Sequence, residues 1–483
     1  MLLKKYKNLS SGVKASIWFI FCSIIQKAIS FITVPIFTRL LSTAEYGEYS
    51  LFLAWQEIIT IFATLNLNYQ VFNNGMVKYK NDKDGYTTSM IGLGFVSSVF
   101  TFMIILAIYP FWYKHTNINY LSLTLMSINM FFLLIYGLWT VRNRYDYKYK
   151  LLTLLTIIMA LLNPLLGILL VKLSTQKVLF RIVSIVLTSV LIGIISLIFL
   201  MRKSRSIVNI KYWKYALSLG IPLIPHYISM VVLHSSDRIM IGNIVGEEYT
   251  AFYSVSYNVA VIMQIVLNAI NASFVPFIYK NMESKKYDNI RKNSLPIIII
   301  VALLCLFPMF LAPEAIYILG GNQYMDAVTI VPILSSSVFM IFFYSIFVSI
   351  EMYFEKSKYI TIGSSCAAIL NIVLNIVFIR IFGYKAAAYT TLVSYISLAF
   401  FHYIMYKRIC KKNCIRESIF DTKIMIFIAL LLLLLSIIIS CIYNNIVIRY
   451  SFLVVILIIT LINKNKIISI LNKIKENNKK KVG

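Results

Sequence analysis

Negative charge is what this sequence has least of: 18 Asp and Glu stand against 46 Lys and Arg, for a formal net charge of +28. Charge of either sign is thin, at 13% of 483 residues, whereas 60% are hydrophobic and mean hydropathy is +0.81. Soluble domains carry roughly a quarter charged residues, so a soluble globular protein is excluded and an integral membrane protein is indicated. Histidine occurs only four times. No H-E-x-x-H helix, Walker phosphate loop or G-x-S-x-G elbow is present, so no catalytic residues and no metal ligands are expected, and the chain is not read as an enzyme. The six cysteines at 22, 305, 366, 410, 414 and 441 are scattered. Cys410 and Cys414 lack a second pair or a nearby histidine, which argues against zinc. Long polar blocks are missing too, which leaves no room for a separate soluble domain or for the large outer loop of a lipid-linked sugar polymerase or glycosyltransferase.

What is present is a succession of apolar runs of about 20 residues, the length that crosses a bilayer. Fourteen spans are expected, beginning at 15–40 and 46–72 and ending at 420–443 and 446–463. The chain's 46 basic residues are distributed unevenly, with 36 of them in the two tails and every second loop. Clustering between apolar runs is the positive-inside pattern rather than a nucleic-acid footprint. It places both termini in the cytosol, and the basic start (Lys4, Lys5, Lys7, Lys14) reads as the flank of an uncleaved first span. The basic end (Lys473, Lys475, Lys479, Lys480, Lys481) suits anionic lipid.

Five spans carry polar residues at helical spacing. The first has Ser16, Ser23, Lys27, Ser30 and Thr38 on one face, with Gln26, Pro35 and Arg39 nearby. The second has Glu57, Thr60, Thr64 and Asn68. The seventh has His226, Ser229 and Asp237, with His234 and Arg238 adjoining. The eighth has Tyr253, Tyr257, Gln264, Asn268 and Asn271, and the eleventh has Thr361, Ser364, Asn371 and Asn375. Hydrogen bonds between packed helices explain the Ser, Thr and single Asn positions adequately. Ionisable groups at mid-depth need a partner or water: a structural Lys27–Glu57 ion pair is one reading, a polar path through the membrane the other. Pro35, Pro164, Pro222 and Pro225 fall inside spans, where they favour bends. In a cytosolic loop, Asp82-Lys83-Asp84-Gly85 has the carboxylate spacing of metal-holding sugar enzymes, but a solvated turn explains it without an accompanying domain.

An internal offset of 199 residues places Lys27 on His226, Ser30 on Ser229, Thr38 on Asp237 and Arg39 on Arg238. Both members of each pair enter from the cytosol, so the repeat is parallel. The expected fold is therefore all-α: a polytopic membrane protein with 14 transmembrane helices in two parallel-repeat six-helix lobes plus a C-terminal helix pair. Residues 1–205 form the N-terminal lobe (helices 1–6) and 206–410 the C-terminal lobe (helices 7–12). Residues 411–483 hold helices 13–14 and the basic cytosolic tail.

The run V34-P-I-F-T-R-L-L-S-T-A-E-Y-G-E-Y49 and the run N371-I-V-L-N-I-V-F-I-R-I-F-G-Y-K-A-A-A-Y389 resemble segments of polysaccharide-repeat-unit flippases (O-antigen/capsule, Wzx-type) of the multidrug/oligosaccharidyl-lipid/polysaccharide exporter superfamily. The resemblance implies translocation of an undecaprenyl-diphosphate-linked oligosaccharide from the inner to the outer leaflet of the bacterial cytoplasmic membrane by alternating access. It further implies a cationic two-lobed cavity, whose candidates here are Lys27, Arg39, His226 and Arg238; the polar stripes add Glu57, Asp237, Tyr257, Asn268, Asn371 and Asn375 as further lining. Membrane lipid and glycan polymerase or assembly proteins are the expected partners, and nucleic acid is not. No cofactor is expected, although H+ or Na+ coupling through Glu57, His226 or Asp237 stays open. The alternatives are a cation-coupled multidrug exporter of the same superfamily, a membrane glycosyltransferase or polymerase, and a scaffold for glycan assembly.

Overall fold

A computed structural model describes residues 11–415, 417–443 and 445–462. The basic clusters Lys4, Lys5, Lys7 and Lys473, Lys475, Lys479, Lys480, Lys481 lie outside the described residues, as does the side chain of Ser16. Among the described residues every regular element is helical. Twelve helices are long and apolar enough to cross a membrane, against the fourteen spans expected. The second expected span falls on Thr43–Thr64, which carries Glu45, Glu48 and Glu57. The last falls on Ile446–Ile462, whose described apolar stretch ends at Val455.

The chain divides into two compact units, Met1–Ala251 and Phe252–Gly483. The first contains α1 (Ser11–Leu40), α2 (Thr43–Thr64), α3 (Gln70–Lys78), α4 (Lys83–Ala107), α5 (Tyr109–Thr116), α6 (Tyr120–Tyr145), α7 (Lys150–Leu173), α8 (Lys177–Met201) and α9 (Ile210–Ile244). Although the repeat assigns α9 to the second lobe, it packs against α2, α3 and α4, and the first unit accordingly runs past it. A capping box opens α2: Ser42 N–H donates to Glu45 Oε2 at 2.7 Å, and Glu45 N–H donates to Ser42 Oγ at 3.2 Å. This pairing satisfies helix-end donors that lipid could not. One turn later Gly47 touches the chain at Glu247, where an added Cβ would stand 1.7 Å from the carbonyl oxygen. Only glycine permits that approach.

One end of the first unit is fastened by the loop Asp82-Lys83-Asp84-Gly85. Asp82 accepts from Gly85 N–H at 3.0 Å and from the Tyr212 hydroxyl at 2.6 Å. Asp84 accepts two hydrogen bonds, at 3.2 and 3.0 Å, from the buried Arg142. The turn reading therefore holds, with protein partners added to solvent: these carboxylates tie α4 to α6 and α9.

The second unit takes most of α10 (Glu247–Glu283), then α11 (Tyr287–Phe310), α12 (Ala312–Gly320), a 3-10 turn (Asn322–Ile330), α13 (Val331–Tyr353), α14 (Ser357–Phe382), α15 (Ala386–Lys412), α16 (Thr422–Cys441) and α17 (Ile446–Ile462). Its centre is α13, buried over most of its circumference and packed by α11, α14, α15 and α16. Its buried Ser335, Ser336, Ser337, Ser349 and Glu351 suit the interior of a bundle rather than a lipid-facing surface. Outward-facing Ile369, Val373, Phe400, Phe427 and Leu430 remain exposed, as a lipid-facing surface requires.

The last helix is held by charge. Arg449, 3% exposed, forks onto Glu314 of α12, with Nη2 donating to Oε1 at 2.5 Å and Nη1 donating to the Phe310 carbonyl at 2.9 Å. Tyr450 donates to Glu314 at 3.0 Å. Partial burial works against the Glu314 charge, but hydrogen bonds from Arg449 outweigh it and hold this carboxyl below the usual carboxylate range. A depressed pKa means stability that is complete above the ordinary carboxylate pKa and is lost as pH falls through the folded-state value. Thermal melts of wild type and Glu314→Gln in detergent should therefore differ at neutral pH and converge in strong acid. A difference independent of pH would assign the effect to packing.

Candidate functional site in the first unit

Three helices of the first unit bring ionisable groups together. Glu57, on α2, is exposed along its helix face and accepts a short hydrogen bond from the buried Ser235 hydroxyl of α9. Beside Ser235, His234 lies in the electrostatic field of Arg238, Glu57 and Lys27. Lys27 is exposed on α1, and no Lys27–Glu57 salt bridge forms among the described residues. The result is an imidazole on α9 within electrostatic reach of one carboxylate and two fixed cations, contributed by α1, α2 and α9. Thr60 and Thr64, also on the polar face of α2, donate to their own helix at Gln56 and Thr60 carbonyls, at 2.6 and 2.7 Å.

A second polar feature opens between α1, α7 and α8. Gln26, Ser30 and Thr33 share one face of α1 and, with Asn163, Pro164 and Arg181, line a cavity of about 220 Å³. Arg181 is 7% exposed. Its Nη1 donates to Asn163 Oδ1 at 2.7 Å and to Ser184 Oγ at 2.9 Å. Its guanidinium lies 4.0 Å from the Phe37 ring centre and 5.1 Å from that of Tyr49, a desolvated cation–π arrangement. Arg181 Nε has no hydrogen-bond partner. The cavity therefore offers hydroxyl, amide and cationic donors inside an apolar lobe. In the sequence, Arg181 looks like one of the few basic residues near an outer loop, and only its burial distinguishes it.

The remaining expected residues are dispersed. Arg39, exposed in the last turn of α1, donates through Nη1 to the Pro35 carbonyl at 2.8 Å. His226 is half-buried on α9, and Asp237 is buried on the same helix at 2% exposure. In the second unit Tyr257 is buried and stacks on Tyr253 at 6.2 Å, whereas Asn268 is exposed on α10. Asn371 and Asn375 are fully buried. Asn371 Nδ2 donates to Thr391 Oγ1 at 3.1 Å, Asn375 Nδ2 donates to Asn371 Oδ1 at 3.2 Å, and Thr390 closes onto Asn375. Those amides join α14 to α15. Among the described residues, no group of three or more His, Cys, Asp and Glu side chains is placed to hold a metal ion.

This helical arrangement is similar to that of several solved transporters of the MOP superfamily. The structure matches an inward-facing multidrug-resistance MATE transporter with a TM-score of 0.65 at 11% identity, over 81% of this chain and 96% of that one. It matches the lipid II flippase MurJ in an inward closed conformation with a TM-score of 0.65 at 14% identity, over 94% of this chain and all of the other. A MOP superfamily transporter from Pyrococcus furiosus, described by the reverse polarity of its binding pocket, gives 0.57 at 12% identity over 84% and 96%.

The chain belongs to the polysaccharide biosynthesis protein family, whose pattern matches residues 13–282. A relative from Haemophilus influenzae, Lsg locus putative protein 1, is 25% identical over 242 residues, 48% of this chain and 59% of that protein. The match thus spans about three-fifths of the relative's length.

The two kinds of polar stripe are separable by chemistry. In a variant stripped of its native cysteines, Lys27→Cys and Glu57→Cys should react with a membrane-impermeant maleimide applied to opened vesicles. Asn371→Cys and Asn375→Cys should resist it, because their sites are closed by α15. Equal labelling at all four positions would place water at both stripes.

Proposed function

We propose that this protein is a flippase that carries undecaprenyl-diphosphate-linked oligosaccharide repeat units from the inner to the outer leaflet of the bacterial cytoplasmic membrane by alternating access, with both termini cytosolic. The observation that carries this reading is the grouping of Lys27, Arg238 and His234 on membrane-spanning helices of a polysaccharide biosynthesis family member. A diphosphate brings negative charge and acceptor oxygens, which Lys and Arg bind by charge-assisted hydrogen bonds. The donors around Arg181 suit the hydroxyl-rich part of such a substrate, while its prenyl chain remains in lipid. An inside-negative potential changes the energy of a translocated charge by about 2.3 kcal/mol per 100 mV and favours outward movement of an anion.

The fold-level likeness to a lipid II flippase supports a lipid-linked glycan as substrate. A drug exporter handling organic cations needs available carboxylates. Here Glu57 is engaged by Ser235 and flanked by cations, and Asp237 is buried.

Each charge-assisted hydrogen bond contributes about 1.5–3 kcal/mol, so Lys27→Ala and Arg238→Ala should each lower export by about tenfold or more. Their effects should be alike because both cations act electrostatically on the same imidazole. The assay is surface glycan in cells lacking the native gene, together with lipid-linked repeat units retained on the cytosolic side. Undiminished export in both variants, at matched protein levels, would sink the cationic-site reading.

A further inference from the structure

The second unit contains a charged pair that the substrate reading does not use. Glu351 of α13 and His402 of α15 are 0% and 1% exposed, and His402 Nδ1 lies 2.8 Å from Glu351 Oε1. Glu351 Oε2 has no hydrogen-bond partner. The imidazole stacks on Tyr344 of α13 at 5.6 Å and meets the Phe401 ring edge-on at 5.5 Å. On the α14 side stands Gly363, where a Cβ would lie 3.2 Å from His402 Nε2. The titratable neighbour in direct contact is Tyr344, which itself stacks on Tyr395 of α15 at 6.4 Å. From α14 the ring meets glycine, and no Lys, Arg or Asp forms an ion pair with either member among the described residues.

Proton counting gives this pair its meaning. With no dissociable proton it is carboxylate plus neutral imidazole, net −1; with one it is net neutral; with two it is net +1. An uncompensated charge in an interior of this kind is strongly disfavoured. Any exchange of a proton between this enclosed pair and solvent requires water to reach α13 or α15.

We propose that Glu351 and His402 form a proton-binding site that couples transport to the transmembrane proton gradient. This rests on the transporter reading above, but the site is separate from the substrate residues of the first unit. The step is a proton transfer alone. A proton from water on one side binds the Glu351 carboxylate–His402 imidazole pair, travels with it while enclosed, and leaves to water on the other side once the pair is exposed. Gly363 brings the α14 backbone close to Nε2, so separation of α14 from α15 would expose that nitrogen to water.

Two measurements on the full chain test this. In proteoliposomes carrying a fluorescent undecaprenyl-diphosphate oligosaccharide, one coupled proton makes a one-unit pH gradient equivalent to about a tenfold shift in the leaflet distribution of the probe. Wild type should show that shift. The isosteric Glu351→Gln, and separately His402→Gln, should still flip the probe but ignore the gradient. Amide hydrogen exchange of α13 and α15, corrected for intrinsic pH chemistry, should depend on pH in wild type and lose that dependence in both variants. Gradient-driven flipping retained in both variants, or exchange profiles identical to wild type, would overturn the proposal. If wild type flips nothing yet its exchange responds to pH through these residues, the substrate assignment fails and the proton site stands. Misfolding is recognised by loss of exchange protection throughout the second unit.

Discussion

Inside a hydrocarbon layer a charged side chain persists only where protein or water takes up its field, and both units of this protein are arranged around that requirement. In the first, Glu57 is held by Ser235 and Arg181 by Asn163, Ser184 and two aromatic faces. In the second, Arg449 is spent on Glu314, and Glu351 on His402. Apolar surface is plentiful and nearly interchangeable here. The few ionic contacts determine which helices must be neighbours, because a misplaced partner leaves a charge in oil.

The first unit shows two different uses of the same chemistry. Asp82 and Asp84 bind Tyr212, the loop backbone and Arg142, which fixes α4 against α6 and α9. Lys27, in contrast, is exposed on its helix. Carboxylates that join one helix to another serve structure. A cation left facing outward from a membrane helix keeps capacity for something else.

Much of this was legible in the sequence, for identifiable reasons. Apolar run length announces membrane helices directly. Helical spacing singled out Glu57, but on α9 it picked the face of His226, Ser229 and Asp237, with His234 and Arg238 adjoining, and passed over Ser235, the hydroxyl that meets Glu57. Helical spacing names a face, however, not what covers it. Asn371 and Asn375 carry the same periodicity as the α1 stripe, yet Thr390 and Thr391 close over them. Arg181 resembled an outer-loop charge because its partners come from α1, α2 and α7. Glu351 and His402 stand 51 residues apart on helices with no polar stripe to flag them. Single ionisable residues in apolar runs gave no pattern to read, only an unexplained cost. The count of spans diverged at α2 for a related reason: the carboxylates that equip it for a site make it the least lipid-like of the expected spans.

The Arg449–Glu314 fork also bears on how the chain is made. An arginine entering hydrocarbon without a partner costs roughly 2.5–3.5 kcal/mol on insertion scales. Glu314 precedes Arg449 by 135 residues, so during synthesis the carboxylate is already available when the guanidinium arrives. The order of translation therefore matches the order of electrostatic need, and α17 can enter lipid against a waiting counter-charge.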